Sequence, residues 1–384
     1  IRIDGGLGDA LSLVADFDMA NITEIIPDAA GSLRGRLSLR GPRDQPAVQI
    51  NVTGSTFAWQ EYALESLAAE ADLSASVQGS AELQLGQIAI GELELDAAQL
   101  SVSGQLAAHK LRASVRGLDS DLVVEATGGY ESQSWSGQLD SLAIGNDLFN
   151  RWASRESSQL TASADQLSLS QTCLFGPQGT DKVCLGGAYS AAGASSFDVL
   201  VAGVPVSSIP AALPAGVTLQ GNIHANLSGE WTDKRLTANA EAEVREAAIN
   251  AVYDDENMTL AVPTAAGQLS VTDNSVEAAL QIALADDAAR AMVMLSVQDF
   301  TDGLSTVSGS AEVSVLDASP AAVVVPGIRT PRGSIDGRLT VAGSLNAPEF
   351  LGEIILTDGS FGVRQAGIEI SDLNLRLARL APGQ

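Results

Sequence analysis

Aromatic side chains are scarce in this chain of 384 residues: Phe, Trp and Tyr together make up 4%. That excludes one thick core packed around large rings, so the 45% of apolar residues, mostly small and aliphatic, must fill many thin layers instead. No apolar run comes near the roughly 20 residues a membrane-spanning helix needs, and no secretory leader is recognisable. The chain opens on Ile1 rather than Met, and is read as an internal segment of a longer protein. Cations are also few. With 21 Lys and Arg against 47 Asp and Glu the formal charge is −26, which argues against nucleic acid or an anionic membrane surface as an electrostatic partner.

The residues that carry chemistry are equally thin on the ground. No Gly-x-Ser-x-Gly elbow is present, so hydrolase-type acyl transfer has no nucleophile. Gly6-Leu7-Gly8 does not extend into a dinucleotide fingerprint, and the stretch from Gly176 to Lys182 lacks phosphate-loop spacing. The only two histidines, His109 and His224, are far apart and read as strand-face or turn residues rather than metal ligands. Close acid pairs such as Asp119/Asp121, Asp254/Asp255 and Asp286/Asp287 follow no calcium-loop pattern and are read as turn residues. The expectation is a protein without catalytic residues, metal or cofactor.

What the chain has in abundance is alternation. Leu37-Ser-Leu39, Val48-Gln-Ile-Asn-Val52, Leu83-Gln-Leu85, Leu93-Glu-Leu95, Leu339-Thr-Val341 and Ile368-Glu-Ile370 all place apolar side chains two apart. A period of two puts them on one face of a strand, with Ser, Gln, Glu and Thr on the other. Gly79, Gly91, Gly104, Gly117 and Gly128 punctuate the runs about every dozen residues, the spacing of an antiparallel meander rather than of strand-helix-strand units. The fold class is all-β: an elongated, repetitive antiparallel sheet with a few short helices. One longer amphipathic helix is expected over 144–160, where Leu148, Phe149 and Trp152 stand at roughly helical spacing. Shorter helical turns are expected before Pro27, Pro214 and Pro326.

Each of those turns leads into a glycine-spaced block. The first runs Gly31-Ser-Leu-Arg-Gly35-Arg-Leu-Ser-Leu-Arg-Gly41, and the last Gly333-Ser-Ile-Asp-Gly337-Arg-Leu-Thr-Val-Ala-Gly343. A looser middle copy surrounds Gly221, counted as the counterpart of Gly35 and Gly337. After a two-residue slip, Gly54-Ser55 and Phe57 stand beside Gly359-Ser360-Phe361. The recurring units fall near 17–73, 197–249 and 313–377, within one continuous segment over 1–384. Cys173 and Cys184 flank a turn marked by Gly176, Pro177 and Gly179. Two strands folding back there bring the thiols within reach of a disulfide, which favours an oxidising compartment; a pair of buried free thiols is the alternative.

The block from Gly333 to Gly343, followed by Gly352-Glu-Ile-Ile-Leu-Thr-Asp-Gly-Ser-Phe361 and Ala366-Gly-Ile-Glu-Ile-Ser-Asp-Leu-Asn-Leu375, resembles the repeating unit of the TamB family, AsmA-like envelope proteins of Gram-negative bacteria. The stretch from Phe197 to Gly229 and the cysteines beside Leu185-Gly-Gly187 are similar to it too. The resemblance implies a taco-shaped β-groove with an apolar interior. It further implies a periplasmic location, a parent anchored in the inner membrane, and a TamA-like barrel of the outer membrane as partner through regions outside this segment. It implies a role in moving phospholipids toward the outer membrane, or in assembling outer-membrane proteins such as autotransporters. On that reading Leu37, Leu39, Ile50, Leu83, Leu85, Leu93, Leu95, Leu339, Val341, Ile354, Leu356, Ile368 and Ile370 line the groove and meet phospholipid acyl chains. A scaffold templating nascent strands, an inert stalk and a polysaccharide-cleaving enzyme are the competing readings.

Overall fold

The computed structural model describes residues 1–379 apart from positions 9, 25, 44–45, 75–77, 147–149, 210–212, 214–215, 233–234, 254–255, 285–287, 300–304, 326 and 364–365. Strand accounts for 81% of the chain and helix for 2%, in one antiparallel sheet of 25 strands. All-β is therefore the fold class. Within it the chain divides into two compact units, Ile1–Pro177 with Ala188–Ala191, and Gln178–Gly187 with Ala192–Gln384. The division falls where Gly176, Pro177 and Gly179 stop the strands.

The first unit is a meander of β1 (Arg2–Leu7), β2 (Ala10–Met19), β3 (Ala30–Pro42), β4 (Ala47–Trp59), β5 (Tyr62–Leu73), β6 (Gln78–Ile90), β7 (Leu93–Gln105), β8 (Ala108–Gly117), β9 (Ser120–Glu131), β10 (Ser134–Asn146), β11 (Asn150–Ser154), β12 (Ser158–Ser163) and β13 (Gln166–Phe175). Each strand pairs with the next, except that β11 and β12 together fill one place between β10 and β13. The helix expected over 144–160 is not there: Ile144 lies in β10 and pairs with Trp152 in β11, and Leu160 pairs with Leu169. The apolar spacing belongs to a broken strand folding back on β10, and long-range pairing overrides local helical rhythm. Leu148 and Phe149 lie outside the described residues.

The second unit continues the pattern with β14 (Lys182–Ser190), β15 (Ser195–Pro205), β16 (Val217–Thr232), β17 (Arg235–Tyr253), β18 (Glu256–Val262), β19 (Thr264–Thr272), β20 (Ser275–Ala283), β21 (Ala289–Gln298), β22 (Thr306–Val315), β23 (Ile328–Ser344), β24 (Ala347–Val363) and β25 (Ile368–Arg379). Pro263 cannot donate to a ladder. It separates β18 from β19, and the two lie end to end along the single long strand β17.

Short helical turns occupy Ile22–Glu24 and Val206–Ser208, and α1 spans Ala321–Val324. Two of the three begin alike. The Asn21 side chain accepts from the Thr23 N–H at 3.0 Å, and the Asp317 carboxylate from the Ser319 N–H at 3.0 Å and its hydroxyl at 2.6 Å. The Ser319 hydroxyl and amide hold the Asp317 carboxyl below the usual range.

After these turns the strands share a geometry. Gly31, Gly221 and Gly333 all have a strongly positive φ, at 131°, 127° and 109°. Each sits at a break in register, between Ala30 and Ser32, Gln220 and Asn222, and Arg332 and Ser334. In the following strand a left-handed residue faces each break: Thr56 at 54°, Glu246 at 53° and Asp358 at 51°. The counterpart of Gly221 is thus Gly31 and Gly333, not Gly35 and Gly337. No two-residue slip is needed either, because Ser32 faces Ser55 as Ser334 faces Thr357. Glycine spacing alone misaligned the copies because several glycines per block serve different ends.

Cys173 and Cys184 form the disulfide, and no cysteine is free. Replacing both by Ser is expected to lower the unfolding free energy by about 2–3 kcal/mol in the chain-entropy picture, read from urea denaturation against the oxidised wild type. Gly333→Ala is expected to cost about 1–3 kcal/mol, since its Cβ would stand 2.7 Å from the Thr357 carbonyl oxygen. Gly367→Ala, at a positive φ but with open space around it, bears only the backbone strain, so equal losses at the two positions would show that the bulge imposes no close packing.

Candidate functional site: an uncovered apolar face

Register turns the alternation into surfaces. In the first unit Ala15, Leu37, Ile50, Ala71, Ala81, Val102, Leu111, Ala126 and Leu139 are successive cross-strand partners from β2 to β10. A parallel row runs Phe17, Gly35, Val52, Ala69, Leu83, Leu100, Ala113, Val124 and Leu142. The second unit has rows of its own, among them Leu227, Ala240, Leu269, Ala278, Leu295, Gly309, Val341 and Phe350. Strands bring these residues together by pairing, not by proximity in sequence.

The opposite face is polar and charge-matched. Arg36 meets Asp16 at 2.8 Å, Arg34 meets Asp18 at 2.9 Å, Arg338 meets Glu312 at 3.0 Å, Arg376 meets Glu353 at 2.6 Å, and Arg112 pairs with Glu125. The Asp16 hydrogen bond and charge raise the Arg36 pKa further. Hydrogen bonds from Gln84 and Gln99 hold the Glu82 carboxyl below its usual range. All these groups are solvated, so the pairs are screened and add little to stability. A hollow of about 840 Å³ on this side is lined by Arg290, Glu312, Arg338, Glu353 and Arg376 among others. His224 also lies on the polar side, opposite Glu243, whereas His109 stands on the apolar face between Gly104 and Gly128.

Bulges keep the apolar face apolar. Leu83 and Leu85 are followed by Ile88 and Ile90, a shift of one in the alternation, and the residue between, Gln87, has φ of 51°. A left-handed residue turns the strand over, so both sets share a side. Leu85, Ile88 and Ile90 accordingly line one cavity of about 450 Å³ with Phe57, Trp59, Tyr62, Leu64 and Ile22. The Phe57 ring lies over the bare Cα of Gly54. Asp358 and Asp372, also left-handed, do the same for Leu356, Gly359 and Phe361 and for Leu373 and Ile370.

The residues expected to line a groove stand in cross-strand pairs on the apolar side. In the first unit Leu37 and Ile50 are direct partners, Leu39 faces Val48, Leu83 and Leu85 face Leu100 and Ala98, and Leu93 and Leu95 face Ile90 and Ile88. In the second, Leu339 faces Gly352, Val341 faces Phe350, Ile354 and Leu356 face Gly337 and Ile335, and Ile370 and Ile368 face Phe361 and Val363. Not one of the thirteen is buried. Sequence reading missed the middle of the second unit, Leu269, Leu280, Ile282, Val293 and Leu295, all exposed, although their alternation was visible. It also missed Trp59 and Tyr62, whose rings stack at 6.2 Å past a shift in frame.

The uncovered area is large. The chain exposes 23799 Å², against about 14,000 Å² for a compact monomer of its mass. The described residues contain no group of three or more His, Cys, Asp and Glu able to hold a metal. Asp119 sits in the β8–β9 turn with φ of 54°, and Asp254, Asp255, Asp286 and Asp287 lie outside the described residues. Among the described residues no helix is long and apolar enough to cross a membrane. Such a fold presents an apolar strand surface. The model of one family, described as TamB, N-terminal domain, matches residues 1–356, and the chain belongs to the TamB family, envelope proteins that serve as transport and assembly modules. No solved structure matches it.

A face that is open to solvent tolerates charge where a sealed interior does not. Leu339, 39% exposed, and Val307, 6% exposed, provide the comparison within one unit. Leu339→Asp is expected to cost about 1 kcal/mol or less and Val307→Asp about 3 kcal/mol or more, measured by urea unfolding. Similar losses at both would mean that Leu339 is packed in solution.

Proposed function

We propose that this chain carries phospholipids across the periplasm, between the inner and outer membranes, with acyl chains lying on its apolar face, as part of a translocation and assembly module whose outer-membrane partner is a TamA-like barrel. The observation that carries the reading is that none of the thirteen residues is buried, with Leu93, Leu339, Ile354 and Ile368 exposed, in rows that cross strand after strand. Leu, Val, Ile and Ala offer no hydrogen-bond code, so the surface selects for hydrocarbon and for little else. Membership of the TamB family supports the same role. Repeated, similar rows hold a chain weakly at many places, which suits passage better than storage.

A second reading draws on β18. It is hydrogen-bonded to β17 on one side, and among the described strands none pairs with its other side. An open edge inside the chain is a template for strand addition, the act a scaffold for outer-membrane proteins would perform.

Native mass spectrometry and lipid extraction of gently purified protein test the first reading. Bound phospholipid, lost in Leu339→Asp, is expected, and protein that emerges lipid-free would count heavily against it. Photo-crosslinkers at Ile354 and at Thr259 separate the two: acyl adducts at Ile354 favour carriage, peptide adducts at Thr259 favour templating.

A further inference from the structure

His109 is an imidazole set into the apolar rows around it. It stands on β8 in a row formed by Gly79, Gly104, Gly128 and Gly137 on the flanking strands. Those glycines make a bed for Trp135. A Cβ on Gly128 would come 2.5 Å from the indole Cζ2, and one on Gly137 would come 2.8 Å from Cη2. Lying flat there, the indole Nε1–H donates to His109 Nε2 at 2.8 Å. On the other side of the ring, His109 Nδ1 is 3.2 Å from the Gln105 carbonyl oxygen and 3.1 Å from that of Leu106, in the β7–β8 turn.

The partners decide the proton. An indole N–H can only donate, so Nε2 must accept; carbonyl oxygens can only accept, so Nδ1 must carry the hydrogen. The chain of bonds from Trp135 through His109 to the turn therefore exists only for the neutral imidazole in its Nδ1–H form. A second proton, on Nε2, removes the acceptor that Trp135 needs and sets two N–H groups head to head. We propose that His109 is a proton-operated latch: neutral, it holds Trp135 down on the glycine bed, and protonated, it lets the indole go and puts a positive charge into an otherwise apolar row.

Little nearby competes for that role. On the same face β7 and β6 bring aliphatic side chains and glycine, β9 brings Tyr130, and β10 brings Trp135, Gly137 and Leu139. The charged neighbours Lys110, Arg112, Glu125 and Glu131 project from the opposite face. Imidazoles as a class change charge between about pH 5 and 8, so acidification is the trigger.

Two measurements test the latch. In protein carrying Trp59→Phe, Trp152→Phe and Trp231→Phe, emission from Trp135 is expected to shift to the red as the pH falls from about 8 to 5 with a single-proton midpoint. The shift should vanish in His109→Gln, which accepts the indole bond at every pH. A pH-independent spectrum, or the same shift in His109→Gln, would overturn the proposal. Should the triple variant not fold, imidazole ¹⁵N spectra of the wild type read it directly. His109 is expected as the Nδ1–H tautomer at alkaline pH, with His224 as the internal comparison, and an Nε2–H assignment would refute the latch. Neither readout depends on lipid carriage.

Discussion

The antiparallel ladder is the constraint on which everything else in this protein rests. Pairing satisfies the backbone N–H and C=O groups strand by strand, and it forces successive side chains to opposite faces. Once the Leu, Val and Ala positions fall two apart, they must gather on one side of the sheet. Among the described residues little is laid over that side: Ile22 and Ala29 cover part of the first unit, and Val323 of α1 packs on Val217 and Ala251 in the second. The remaining apolar surface is stabilised by lateral contact along the rows, and it stays available to a ligand.

Keeping such a face intact over long strands is a problem of phase. Twist and curvature call for bulges, and each bulge would throw the apolar set onto the wrong side. The chain answers by shifting its own alternation at the same places. Beside Thr56, Gln87, Asp358 and Asp372 the apolar residues change from one parity to the other, and the polar residue at the shift takes the left-handed conformation itself. Glycine solves the complementary problem, removing side chains where a ring must lie down, as Phe17 does on Gly35 and Phe197 on Gly229.

The polar face explains the charge. With 47 acids and 21 bases, Arg is set across from Asp or Glu and the other carboxylates on this face meet water, whereas Asp181 is buried. Repulsion among them keeps a molecule with so much exposed hydrocarbon in solution. It also confines the interesting chemistry to the other face, where a single histidine on a bed of glycines is conspicuous because nothing around it is charged.

Alternation in the sequence was enough to determine the all-β class and the antiparallel pairing of neighbours, because period two is a local property of the chain, and the prolines marked the short helical turns. Three things were settled only by the folded structure. Leu148, Phe149 and Trp152 have helical spacing, yet Trp152 belongs to a strand because Ile144 pairs with it. Gly221 aligns with Gly31 and Gly333 because their φ values and register breaks match, which no count of glycines reveals. And His109 meets Trp135, 26 residues away, because two hairpins bring β8 and β10 to either side of β9. Pairing between strands depends on long-range register, and register is decided by bulges and turns whose geometry is not written in the residue types alone.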